Sequence, residues 1–362
     1  MKNTIGTSVA VTLFGESHGA YIGAVIDGLA PGIVIDQVYI SDMLRLRRPE
    51  GKISTPRKEQ DEFQIISGVF NGKTTGTPIT VLIPNENVKS GDYEQMATVA
   101  RPSHADYTAQ CKYHGYQDHR GGGHFSGRVT AALVAAGAIC KYALEQKGIR
   151  VGTHVKRCAG ISDRDFGDLS ADIDSVNQKI FAVLDETRGE QMRNAILAAA
   201  TEGDSVGGVL ETAIVGMPEG VGEPWFDTLE GMLSHMMFSI PAVKGIEFGA
   251  GFAMSDMKGS QANDPFKMHD GKIITDTNNN GGINGGITNG MPILFRTAVK
   301  PTPTIFKPQN SVDMTHMKDA VLEGKGRHDP AIVHRARVVQ DAATAIVLCD
   351  ALAMRFGTDW LK

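Results

Sequence analysis

One segment limits the architecture more than any other. Residues 129–146 read VTAALVAAGAICKYALEQ, with Ala, Leu, Val and Ile on nearly every face of a helix. A helix that is apolar all round must be covered on all sides. The segment therefore belongs at the centre of the fold. Gly148 supplies its C-terminal stop.

Around it, strand and helix signals alternate. Residues 8–14 and 20–29 read as strands, the second ending in Ala30-Pro31-Gly32 turn chemistry. Asp36 caps a helix that runs to Arg48 and is stopped by Pro49. Residues 63–70 and 77–83 read as a hairpin around Asn71-Gly72. Helices are expected over 170–184, capped by Ser170, and over 190–200. A strand over 209–215, a helix over 229–237 and strands over 245–252 and 291–298 follow. Asp329 and Pro330 open a last long helix, as N-cap and first turn, that ends before Gly357. This is an α/β pattern with antiparallel hairpins. Glycine accounts for 42 of 362 residues, well above the usual share of about 7%. It clusters in loops, and residues 259–290 are expected to be a long flexible loop. With no linker to divide it, 1–362 reads as a single domain.

Bulk properties narrow the function. The net charge of −5 argues against general nucleic-acid binding. No uncharged apolar run is long enough to indicate a membrane span. The scattered Cys111, Cys140, Cys158 and Cys349 suit a reduced, cytoplasmic protein, with Cys140 and Cys349 in the core. His114, His119 and His124 recur every fifth residue without helical i, i+4 spacing, so no metal site is expected.

The chemistry lies in the loops. Between 45 and 58 stand Arg45, Arg47, Arg48, Lys52, Arg57 and Lys58 with one acid, Glu50. Such a run can be a solvated face. Its arginines, together with Arg101, Arg120, Arg128, Arg327 and Arg335 beside Gly, His or Pro, suggest a pocket for a small polyanion. Gly121-Gly122-Gly123 allows a backbone to approach a ligand closely, and the helix start that follows suits an anion. His18, in Gly15-Glu16-Ser17-His18-Gly19, and His104, between Arg101 and Asp106, can exchange protons near neutrality. A hydrolytic phosphatase lacks its metal cluster or activated nucleophile here.

These motifs resemble those of chorismate synthases. The resemblance rests on Gly15 to Gly19, Arg101-Pro102-Ser103-His104-Ala105-Asp106, Arg120 to Gly123, TAALVAAGAICK, Ala242-Val243-Lys244-Gly245, Gly285-Gly286-Ile287, Lys300-Pro301-Thr302 and Gly326 to Pro330, in the family's order. It implies a β-α-β sandwich, with central helices between two antiparallel sheets, assembled as a homotetramer. It also implies the 1,4-anti elimination of phosphate from 5-enolpyruvylshikimate 3-phosphate, with reduced FMN required in a redox-neutral reaction. By resemblance, His18 serves the departing phosphate and His104 the flavin. Asp329 sits by the flavin N5, with Ser17 and Ser126 as relay hydroxyls. Arg47, Arg48, Arg128 and Arg335, with Arg45, bind substrate. The flavin contacts fall on His124, Phe125, Ser126, Pro241, Ala242, Gly285, Lys300, Pro301, Thr302, Pro303, Thr304 and Arg327.

The chain departs from many bacterial members in the flavin segments. His124 and Phe125 stand for Arg and Ser, Pro241 for Asn, and Pro303 for Ser. NADPH or an external flavin reductase is the implied reductant, and the lack of an added domain favours the reductase. The alternative is a non-catalytic binder of phosphorylated metabolites or flavin.

Overall fold

The computed structural model describes residues 2–49, 51–54, 60–86, 98–323 and 329–362. The helix α3 (Thr130–Gln146) lies at the centre, buried along nearly its whole length, Lys141 included. It packs against α8 (Val333–Phe356), whose residues are also buried on every face. Where the two helices meet, a Cβ added to Gly137 would stand 2.4 Å from both the Cβ and the carbonyl oxygen of Ala342. Only a glycine lets the two helices come this near.

A five-stranded antiparallel sheet covers each side. The first has the order β1-β2-β3-β7-β4: β1 (Thr4–Ile5), β2 (Ala10–Gly15), β3 (Tyr21–Asp27), β4 (Gln64–Ser67) and β7 (Ile79–Pro84). It packs on α3 through β3 and β7. Gly68, at φ 78, breaks the expected strand 63–70, and β5 (Val69–Phe70) turns at Asn71-Gly72 into β6 (Lys73–Thr74). The expected pairing of the longer strands survives as β4 on β7. The second sheet has the order β11-β16-β10-β8-β9: β8 (Arg150–Cys158), β9 (Ile161–Ser162), β10 (Gly208–Val215), β11 (Val243–Phe248) and β16 (Ile293–Val299). It packs on α8 through β8 and β10. The layers therefore run sheet, α3, α8, sheet.

α8 and the second sheet meet through buried polar groups. Thr153 Oγ1 donates to Asp341 (2.6 Å) and lies 2.6 Å from Thr212 Oγ1, which accepts from Gln340 (2.7 Å). Thr297 donates to Gln340 Oε1 at 2.5 Å, and Arg337 donates to Asp341 at 3.0 Å. Every strand of the middle of this sheet thus holds one turn of the helix.

Other helices fill in the edges. α1 (Gln37–Arg47) is capped by Asp36, whose carboxylate accepts from Val38 and Tyr39 N–H, and it packs on α3 and α8. α2 (Asp106–Tyr113) follows the His104 loop. α4 (Leu169–Gln178) is capped by Asp168 rather than Ser170, because the Asp168 carboxylate takes the Ser170 and Ala171 N–H groups. It ends at Gln178, short of the expected 184, and a separate helix, α5 (Glu186–Thr201), opens from its own cap, Asp185. α6 (Leu229–Ser239) packs against α8 and β11. The segment 259–290, expected to be a loop, carries α7 (Gly259–Ala262), β12 (Phe266–His269), β13 (Lys272–Thr275), β14 (Ile283–Asn284) and β15 (Ile287–Thr288). Asp264 organises it, accepting from Thr277 Oγ1 and from the N–H groups of Asn279 and Asn280. A last hairpin joins β17 (Gln309–Asp313) to β18 (Lys318–Leu322).

Asp329 is not the N-cap of α8. The helix starts at Val333 without a side-chain cap, and the Asp329 carboxylate is drawn onto Arg335 instead. Cys140 and Cys349 lie in the core. Residues 127–146 are long and apolar enough to cross a membrane, but 83% of that window is buried inside the fold.

Gly137→Ala should lower stability by about 1–3 kcal/mol, because the added methyl meets backbone on the facing helix. Urea unfolding monitored by circular dichroism measures this; an unchanged midpoint would mean the helices can part freely there.

Candidate active site

Three glycines hold two loops together. Gly121, Gly122 and Gly123 have φ of 58°, 89° and 54°, a left-handed run that side chains avoid. A Cβ on Gly121 would stand 2.2 Å from His18 Cε1, and one on Gly123 would stand 2.0 Å from the Asp118 carbonyl oxygen. A Cβ on Gly122 would crowd His104 Cε1 at 3.3 Å. The two histidines expected to be chemical therefore face adjacent residues of one loop.

The first of them is fixed by the interlock of that loop with residues 15–19. Ser17 N–H donates to the Gly123 carbonyl (3.1 Å) and Ser17 Oγ to the Arg120 carbonyl (3.1 Å). Ser17 Oγ also lies 3.1 Å from His18 Nδ1. Both residues are buried. His124 Nδ1 meets the Gly15 carbonyl oxygen at 2.8 Å, which clamps the loop from its other end.

The second is fixed by a carboxylate. His104 Nδ1 lies 2.8 Å from Asp106 Oδ1, and Arg101 reaches both Asp106 oxygens at 2.7 Å. Burial pushes the Asp106 carboxyl up, but the Arg101 and His104 bonds outweigh it and hold it well below the usual range. Because a carboxylate only accepts, Nδ1 carries the proton and Nε2 is the ring's acceptor in the neutral form.

The expected substrate arginines gather next to this pair. Arg47 Nη2 donates to Asp61 Oδ2 at 2.9 Å, and Arg128 Nη1 donates to Asp61 Oδ1. Arg128 also donates to Asn85 Oδ1 and the Pro84 carbonyl, both at 2.9 Å. Asn85 in turn donates to the Glu16 and Gly19 carbonyls, so the arginine cluster and the His18 loop form one assembly. Arg335 donates to the Arg47 carbonyl (2.9 Å) and to Asp329 (2.5 Å). Burial, and then the Arg47 charge, push the Arg335 guanidinium down, against the pull of Asp329. The Nε atoms of Arg47 and Arg48 are buried and find no partner among the described residues. Such donors are costly unless a ligand accepts from them. Arg45 stands apart on the exposed side of α1, 3.4 Å from Asp42. Arg57, Lys58 and Arg327 lie outside the described residues.

Below the arginines sits a third histidine that the sequence did not single out. His334 is buried, with Nε2 2.9 Å from Ser54 Oγ and its ring stacked on Phe181. Burial, helped by the Arg335 charge, pushes it down to about 4. It is therefore neutral and uncharged beside the cationic cluster at working pH.

The expected flavin segments form a second wall. Lys300 donates to the Ser103 carbonyl, which ties it to the His104 loop, and its N–H donates to the Ala242 carbonyl at 2.9 Å. Ala242 has φ 76°, an uncommon value for a residue with a Cβ. Burial, and then the charge of the neighbouring Lys244, push the Lys300 ammonium down. Thr302 Oγ1 is buried without a partner among the described residues, and Thr304 is buried. Pro303 accepts from Gln309, and Pro241 is exposed. A lysine pair and an orphaned hydroxyl fit the phosphate of FMN. Ser126 Oγ accepts from Arg128 N–H (3.3 Å), and the half-exposed Phe125 ring meets Tyr113 edge-on. Gly285 lies at the tip of the β14–β15 hairpin, and none of these contacts reaches it. Asp61 and Asn85 carried no sequence signal, since each is one polar residue near a strand end.

Comparison with known proteins gives a consistent result. A family model described as chorismate synthase matches residues 9–353. The chain is 45% identical to the chorismate synthase of Aeropyrum pernix over 98% of this chain and 93% of that one. It is 46% identical to that of Pyrococcus abyssi over 97% of each. It is also 46% identical to that of Dehalococcoides mccartyi over 99% of this chain and 98% of its relative. A solved structure titled as the crystal structure of chorismate synthase superposes with a TM-score of 0.76 at 29% identity, covering 98% of this chain and 94% of the other.

Gly121→Ala should leave a cooperatively folding protein, weakened by about 1–2 kcal/mol, that has lost most of its turnover because His18 is displaced. Retained turnover would show that the ring position is not critical. His334 generates a pH dependence. Its folded value lies below the unfolded one, so the unfolded chain binds the proton first, and stability falls as pH drops from about 6.5 to about 4. His334→Asn should flatten that part of the urea-midpoint profile.

Proposed function

The chain belongs to the chorismate synthase family, and we propose that the assembly around Gly121, Gly122 and Gly123 is where it works. Chorismate synthase converts 5-enolpyruvylshikimate 3-phosphate to chorismate and phosphate, in the shikimate route to aromatic amino acids, and the family requires reduced FMN. The observation that carries the site assignment is the convergence of two histidines on adjacent glycines, with an arginine cluster joined to them through Asn85.

The substrate bears one phosphate and two carboxylates. Arg47, Arg48, Arg128 and Arg335 collect these groups, with Arg45 at the margin. In a site this enclosed each charge-assisted bond is worth more than it would be in water. His18, steadied by Ser17, faces the C3 phosphate and donates to the oxygen that departs. Preorganised donors of this kind cost nothing to reorient as charge develops. His104, turned by Asp106, presents Nε2 to the flavin side. Asp329 and Ser126 stand where a proton is handed on, and Arg335 holds the Asp329 carboxylate in place. Reduced FMN, when bound, would supply electron density for C–O cleavage and a basic nitrogen for the C6 proton. The residues that would hold it are His124, Phe125, Ser126, Pro241, Ala242, Gly285, Lys300, Pro301, Thr302, Pro303, Thr304 and Arg327. Lys300 and Thr302 hold its phosphate.

The reading extends to a cytoplasmic homotetramer whose flavin is reduced by a separate reductase. Reduction by NADPH on this chain itself is the other route.

The test is anaerobic turnover with dithionite-reduced FMN. Phosphate should appear only when reduced FMN is present, with no net flavin oxidation. His18→Ala should slow turnover and leave FMN affinity intact, and Arg48→Ala should raise the substrate KM. An equal loss of FMN affinity in the His18 variant would move that residue to the flavin side.

A further inference from the structure

We infer that Asp61 is the positioning residue for the substrate arginines: its single carboxylate holds Arg47 and Arg128 in the orientation that meets the substrate's anionic groups. The inference rests on the assignment of those two arginines to substrate. Three elements distant in sequence meet at this carboxylate. Arg47 comes from the end of α1, Arg128 from the turn before α3, and Asp61 from the stretch before β4. Each oxygen serves one guanidinium, and the three side chains are 5%, 3% and 0% exposed for Arg47, Arg128 and Asp61. Asp61 adopts φ 52°, the left-handed region that Asp tolerates better than most residues with a Cβ. The backbone thus takes an uncommon shape to place this group.

A carboxylate beside a site for a substrate with three anionic groups repels that substrate. That cost has to be offset by something the arginines gain. Two buried guanidinium groups with no shared acceptor would repel each other and turn toward whatever oxygen lay nearby. With Asp61 between them, both planes are fixed, because paired N–H···O geometry is directional. The chain of contacts continues through Arg128 to Asn85, and from Asn85 to the Glu16 and Gly19 carbonyls that flank Ser17 and His18. Asp61 therefore registers the arginines against the histidine that serves the departing phosphate.

The test compares Asp61→Asn, Asp61→Glu and Arg128→Lys in the full chain, assayed anaerobically with reduced FMN. Asp61→Asn keeps the size but loses the charge and one acceptor. It should raise the KM for 5-enolpyruvylshikimate 3-phosphate by about ten-fold or more, with a much smaller change in kcat and none in FMN affinity. Asp61→Glu keeps the charge at a displaced position and should fall between wild type and Asp61→Asn. A purely structural role would lower the unfolding midpoint and leave KM untouched in the folded fraction, and that result overturns the inference. If Asp61→Asn does not fold, Asp61→Glu decides: a raised KM at a wild-type midpoint supports the role, and an unchanged KM removes it. Arg128→Lys separates the two levels of the argument. A raised KM there with normal KM in both Asp61 variants defeats only the role of Asp61. An unchanged KM in Arg128→Lys defeats the substrate assignment and this inference with it.

Discussion

The contact between α3 and α8 at Gly137 and Ala342 is what the rest of the molecule is built on. Two helices buried on every face can lie this close only where one of them lacks a side chain. Each sheet then covers one helix, and both helices start at the same end of the assembly. Arg128 lies in the turn that opens α3, and Arg335 lies in the first turn of α8. The C-terminal end of α1, packed on both, delivers Arg47 to the same place. The site is thus assembled from helix ends that core packing brings together, and its loops need only fill the space between them.

Gathering cations in this way costs solvation. The molecule offsets that cost with carboxylates at fixed positions: Asp61 for Arg47 and Arg128, Asp329 for Arg335, and Asp106 for Arg101. Each acid also orients what it neutralises. His334 is the contrasting case, a buried imidazole kept neutral by its surroundings, which adds no further positive charge to the cluster. The same logic explains the wall formed by Lys300 and Lys244. Burial, and then the neighbouring Lys244 charge, push the Lys300 ammonium down.

Much of this was legible in the sequence. The apolar run of α3 required a central helix. The loops with His18, His104 and three consecutive glycines stood out because their composition has few other uses. The structure added what pattern cannot reach. β8 went unread because Thr153 and His154 are buried on it, paired with Asp341 and Asp163, so the alternation of apolar and polar residues fails. Asp329 looked like a cap because Pro follows it, yet Arg335 competed for its carboxylate and the helix began later. Asp61 and Asn85 were invisible because their partners are distant in sequence. The segment 259–290 looked unstructured from its glycine and asparagine content, and the Asp264 carboxylate shapes it by accepting the backbone N–H groups of Asn279 and Asn280.

The polar ladder between α8 and the second sheet has a consequence of its own. Apolar packing tolerates a helix sliding or rotating by a small step, whereas Thr153, Thr212 and Thr297 each meet a single oxygen or nitrogen on α8. The helix is keyed like a shaft in a slot, with one axial setting and one angle. Arg335, five residues upstream of the first key, Gln340, inherits that setting, so the placement of a charged tip is decided by threonines in the strands behind it.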